Sequence, residues 1–138
     1  MTKAMKSSAS RQASCACGQL TLEASGEPIR ISVCHCRACQ RRSGAPFAAQ
    51  ARYPRPRVRL DGEYKTFVRV ADSGNEVTAH FCPHCGSTLC YWLAVDPDVL
   101  AVAIGAFGDS DFPSPNFSMH DGQRYGWIGL PASIEYHP

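Results

Sequence analysis

The 138 residues contain no long apolar run, no strong net charge and little helical periodicity. No segment nears the roughly 20 apolar residues that a membrane-spanning helix needs. Fourteen Lys and Arg stand against twelve Asp and Glu, a formal net charge of +2. That balance is too even to point to nucleic acid or an acidic membrane as partner. Residues 1–13 carry Lys3, Lys6 and Arg11 with serines but no apolar core, so they read as a disordered tail, not a secretory signal. Residues 14–138 then form a single domain, long enough for a real core, with no internal repeat. The expected location is cytoplasmic.

Short alternating runs replace helical periodicity. Leu20–Ala24, Ile29–Val33, Phe47–Tyr53, Tyr64–Val70, Glu76–Phe81, Thr88–Leu93 and Val99–Ile104 read as strands. Asp61–Glu63, Asp72–Asn75 and Asp96–Asp98 read as turns, and Arg124–Ile128 as a short last strand anchored by Trp127. The fold class is therefore mainly β, with one short helical stretch over Arg37–Arg42, ended by Gly44 and Pro46. Arg52, Arg55, Arg57 and Arg59 alternate with prolines and apolar residues. A solvated edge strand accounts for them better than an anion-binding edge, and they lack the interleaved aromatics of single-strand binders.

What the chain does have is cysteine. Seven of its eight cysteines fall in three clusters: Cys15 and Cys17; Cys34, Cys36 and Cys39; Cys82 and Cys85. Without a secretory signal, such clustering favours metal over disulfides. Thiolates suit zinc. Cys82-Pro83-His84-Cys85-Gly86 has the form of a zinc knuckle, in which glycine lets the backbone turn its N–H groups toward sulfur. A knuckle supplies two ligands and needs two more. Cys15 and Cys17, placed on one face of a strand, complete a closed four-cysteine site and leave Cys34, Cys36 and Cys39 as an open one. Pairing the knuckle with two of those three would strand at least three thiols. Three protein ligands keep a fourth position for water or substrate, the usual plan of a catalytic zinc. Cys90 reads either as a fourth ligand or, more in keeping with its apolar strand, as a buried core residue. His35, between two ligands, points away from them in extended backbone. Arg37, Arg41 and Arg42 read equally as a solvated turn or as a place for a carboxylate-bearing thiol.

Three stretches, Ser14–Gly18, Cys34–Phe47 and Phe81–Leu89, together resemble the glutathione-dependent formaldehyde-activating enzyme (Gfa) family in order and spacing. The resemblance implies a β-tent of short antiparallel sheets around zinc. It implies a structural zinc on Cys15, Cys17, Cys82 and Cys85, and a catalytic, labile zinc on Cys34, Cys36 and Cys39. It also implies carbon–sulfur lyase chemistry, in which glutathione or a related thiol adds to formaldehyde or another small aldehyde. In such a reaction Arg41 or Arg42, beside the three cysteines in sequence, would hold a glutathione carboxylate. The alternative is a non-catalytic thiol- or zinc-binding module of the same fold. Partners are then a small thiol and a small aldehyde, without nucleic acid or membrane; a homo-oligomer is compatible with either reading.

Overall fold

A computed structural model describes residues 9–138. Its strands are β1 (Ser10–Ser14), β2 (Thr21–Ser25), β3 (Arg30–Cys34), β4 (Ala48–Pro54), β5 (Val58–Asp61), β6 (Lys65–Val70), β7 (Glu76–Phe81), β8 (Thr88–Leu93), β9 (Asp96–Ala103), β10 (Phe117–Met119) and β11 (Glu135–Tyr136). The helix α1 spans Arg37–Ser43. The mainly β organisation expected from the sequence is observed, and no described helix is long and apolar enough to cross a membrane.

Two sheets form. One is three-stranded, in the order β1-β2-β5; the other is eight-stranded, in the order β11-β10-β3-β4-β9-β8-β7-β6. Period-two alternation decides what each buries. Ala13, Leu22 and Ala24 of the small sheet meet Ala51, Tyr53, Cys90, Leu100 and Val102 of the large one, all at most 3 % exposed. This is the main core. The opposite face of the large sheet is organised around the site. There Cys34 lies beside Ala48, Ser32 beside Gln50, and Arg52 beside Ala101, which in turn pairs with Tyr91.

Three expectations need correction. The tail expected over residues 1–13 falls largely outside the described residues, but its end is β1, with Ala13 buried and paired to Leu22. Burial of that alanine between strands outweighs the polar composition around it. Asp96–Asp98 is not a turn: the chain reverses at 94–95, and Pro97 sits near the start of β9, where a missing N–H is tolerated. Arg124–Ile128 is not a strand. Trp127 is 74 % exposed, and the buried residue there is Ile128. The antiparallel sheets expected are observed, with the short strand β10 added parallel to both β3 and β11.

The helix follows the expected boundaries closely. Cys36 caps it, its sulfur accepting the Cys39 N–H at 3.4 Å. Gly44 ends it at φ 69°, donating its N–H to the Gln40 carbonyl at 2.8 Å. A left-handed residue there is what glycine permits at low cost.

Candidate functional site

Cys15 and Cys17 lie in a turn just after β1, not on a strand face as expected. Cys82 and Cys85 occupy the turn joining β7 to β8. The two turns are built alike. The Cys15 N–H donates to the Leu20 carbonyl and the Leu20 N–H to Cys15 Sγ, at 2.9 and 3.3 Å. The Cys82 N–H donates to the Ser87 carbonyl and the His84 N–H to Cys82 Sγ, at 2.9 and 3.4 Å. Gly18 and Gly86, at φ 87° and 81°, let each turn fold back.

The four sulfurs converge, all within 4.8 Å of one another. Cys17 Sγ is 3.6 Å from that of Cys15 and 3.7 Å from that of Cys82. Sulfurs bound at about 2.3 Å around a tetrahedral zinc are about 3.8 Å apart. The donor set and spacing therefore fit a tetrahedral thiolate-bound metal. Gln19 braces the site: its Nε2 donates to Cys82 Sγ at 3.1 Å and to the Glu63 carbonyl at 2.6 Å, while Oε1 accepts the Glu63 N–H at 3.0 Å. Nearby Ser87, first through its hydroxyl and then its backbone N–H, holds the Cys85 thiol down at about 5. His84 is no ligand here; its Nε2 is 2.7 Å from Glu63 Oε1, and that carboxylate raises its pKa.

Cys34, Cys36 and Cys39 also bring their sulfurs within 4.8 Å of one another. Cys34 ends β3, Cys36 caps α1, and Cys39 lies in its first turn. Among the described residues no fourth cysteine, histidine or carboxylate joins this group. Cys90 packs in the main core instead, 1 % exposed, and burial pushes its thiol up to about 12. Cys36 is held far below the ordinary thiol range by hydrogen bonding from Cys34, then Cys39. Cys34 is pushed up by its bonds to Cys36, then Cys39, and by burial.

His35 turns away from the sulfurs, as expected, and is fully buried. Its Nε2 donates to Ser118 Oγ at 3.0 Å, and Ser118 donates to Asp121 Oδ1 at 2.7 Å. Burial lowers the His35 pKa although Asp121 opposes this, so the ring is neutral and Nε2–H is the natural donor. Its backbone N–H donates to Met119 at 3.0 Å. The loop carrying the three cysteines is thus pinned to β10.

A cavity of about 750 Å³ opens over these cysteines. Its floor includes Gln50, Arg52 and Tyr91, and its far wall is the turn between β6 and β7. Four arginines line it (Arg37, Arg41, Arg52 and Arg69) against one carboxylate, Asp72. Arg41 is exposed at its edge. Arg42 lies elsewhere: its Nη2 is 3.7 Å from Cys39 Sγ, and its guanidinium sits 5.0 Å above the Tyr91 ring. It faces a neighbouring cavity of about 430 Å³, also lined by Cys90.

Arg52, Gln50 and Tyr91 were not singled out by motif. The pleat offers a signal for two of them. Gln50 and Arg52 share one face of β4, whereas Arg55 and Arg57 lie in a 3₁₀ turn beyond it.

With this geometry in place, comparison with known proteins is informative. The model of the glutathione-dependent formaldehyde-activating enzyme family matches residues 10–122. The chain belongs to this family. A crystal structure of a Rhodobacter sphaeroides protein is similar in fold, with a TM-score of 0.55 and 19 % sequence identity, over 74 % of this chain and 90 % of that one. No curated protein matches in sequence. Membership accords with formaldehyde- and glutathione-related function in general terms, and the two cysteine clusters can hold metal ions, consistent with zinc.

Proposed function

We propose that this Gfa-family chain catalyses addition of glutathione, or a related thiol, to formaldehyde or another small aldehyde. The carrying observation is that three sulfurs converge without a fourth protein donor at one end of an open, arginine-lined cavity. The other cluster has four donors and needs no outside ligand. In this reading Cys15, Cys17, Cys82 and Cys85 hold a structural zinc, and Cys34, Cys36 and Cys39 a reactive one. Zinc at the open site would supply a Lewis acid that favours the ionised form of a thiol.

The addition is redox-neutral. A carbon–sulfur bond forms, the C=O double bond becomes a single bond, and the thiol proton ends on that oxygen. The chain's own contribution is placement and charge. The Arg42 guanidinium, 3.7 Å from Cys39 Sγ, would offset the negative charge of that sulfur as a zinc-bound thiolate. Arg41, at the edge of the cavity, is placed to meet an incoming carboxylate. Such clustered free thiols accord with a reducing compartment, the cytoplasm.

The test is the rate of S-hydroxymethylglutathione formation with the zinc-loaded chain against a protein-free mixture. A saturable acceleration is expected, lost in Cys36→Ser together with about one zinc per chain. Saturable glutathione binding at the uncatalysed rate would instead identify a thiol-binding module.

A further inference from the structure

Two buried polar atoms on the cavity floor have no partner. Gln50 is 1 % exposed; its Nε2 donates to Ser32 Oγ at 3.0 Å, but its Oε1 accepts nothing. Arg52 Nε is likewise buried without a hydrogen bond, and Arg52 makes no ion pair among the described residues. Directly across the β3–β4 pair stands Arg30, also without an ion pair, its guanidinium 4.6 Å above the Phe117 ring. Like charges opposite one another on adjacent strands destabilise a sheet, and buried polar atoms are normally satisfied. Asp72, the cavity's single carboxylate, forms no ion pair with Arg52. A ligand that brings an anion and a hydrogen-bond donor side by side would satisfy Arg52 and Gln50 together.

From this we infer that Arg52 and Gln50 anchor the carboxylate and adjacent N–H of a cysteine-containing peptide whose sulfur reaches Cys34, Cys36 and Cys39. The inference rests on the proposal that a thiol occupies the open position there. The two residues sit two apart on one face of β4 and both line the cavity. Arg52 lies four residues along β4 from Ala48, which pairs with Cys34, a span of about 13 Å. Part of that distance is covered by the arginine side chain itself. An extended tripeptide, about 10–11 Å from end to end, is long enough to cover the rest. Ala101, between Arg52 and Tyr91 in register, keeps the floor low enough for a ligand to lie across it.

The experiment is calorimetry on the zinc-loaded full chain with two probes. 2-Mercaptoethanol reports the open metal position and has no carboxylate. S-methylglutathione has both carboxylates and no free thiol, so it reports the anchor. The variants are Arg52→Met, which keeps the apolar stem, and Gln50→Glu, which keeps the shape but repels a carboxylate. Each is expected to weaken S-methylglutathione at least tenfold and to leave 2-mercaptoethanol within twofold. If S-methylglutathione fails to bind, or binds Arg52→Met as well as the parent while 2-mercaptoethanol still binds, the anchor is overturned and the thiol site stands. If 2-mercaptoethanol does not bind but S-methylglutathione is lost with Arg52→Met, the anchor stands and the thiol reading falls. If neither probe binds the parent chain, both fall.

Discussion

Gln19 is not a cysteine, yet it should control how tightly the four-cysteine cluster holds its metal. Its amide joins Cys82 Sγ to both backbone groups of Glu63, at 3.1, 2.6 and 3.0 Å. Gln19→Ala removes all three bonds while leaving every sulfur in place. Loss of a hydrogen-bonding partner to a metal ligand typically costs 10–100-fold in affinity, or about 1.4–2.7 kcal/mol. The two bonds to Glu63 are on the exposed side and add about 1 kcal/mol or less each. A zinc competition titration against a chromogenic chelator should shift by that 10–100-fold for this site. The combined loss of about 1.4–4.7 kcal/mol should lower the thermal unfolding temperature of the zinc-loaded chain by roughly 4–19 °C, at about 3–4 °C per kcal/mol for this size. With excess chelator, the gap between variant and parent should narrow to the Glu63 contribution. An unchanged competition midpoint would refute the reasoning, because it would mean that the N–H···S contact does not tune the sulfur.

Two further outcomes follow from single positions. Gly62 has φ 111°, and a Cβ there would collide with the Gln19 backbone carbonyl, so Gly62→Ala should cost upwards of about 2 kcal/mol, read as a fall in urea midpoint at unchanged m-value. Burial raises the Cys90 thiol to about 12, whereas an unfolded cysteine titrates near 8.5. Between those values the unfolded chain binds fewer protons, so stability should fall as pH rises from about 8.5 towards 12. Cys90→Val should flatten that part of the urea-midpoint profile, and iodoacetamide at pH 8 should reach Cys90 only after unfolding, as peptide mass spectrometry would show.

Much of the fold was legible because it is local. Alternation placed β2 to β4 and β6 to β8 to within a residue or two, and Gly44 marked the end of α1. The cysteine grouping was legible for a different reason: pairing the clusters as two-plus-two and three leaves no clustered thiol stranded, and the structure brings together those same sets. What escaped is non-local. A three-residue strand parallel to β3, reached after residues 104–116, carries no pattern of its own. Trp127 looked like an anchor because it is large and apolar, yet its environment leaves it exposed while the smaller Ile128 is buried. Arg52 was hidden in a run of arginines. Only the register, which sets it beside Gln50 on the cavity face, separates it from Arg55, Arg57 and Arg59.

The pinning of the three-cysteine loop by β10 has a consequence for the order in which the molecule can be completed. Every donor of the four-cysteine cluster has been synthesised once residue 85 emerges, so that centre can close on a nascent chain. The donors of the other cluster appear much earlier, by residue 39, yet Ser118 and Met119, which hold His35 between them, come about eighty residues later. The site whose ligands are made first is thus finished last. Until then the three-cysteine segment is held on one side alone, by the β3–β4 pair, and its sulfurs meet whatever metal or oxidant the emerging chain encounters.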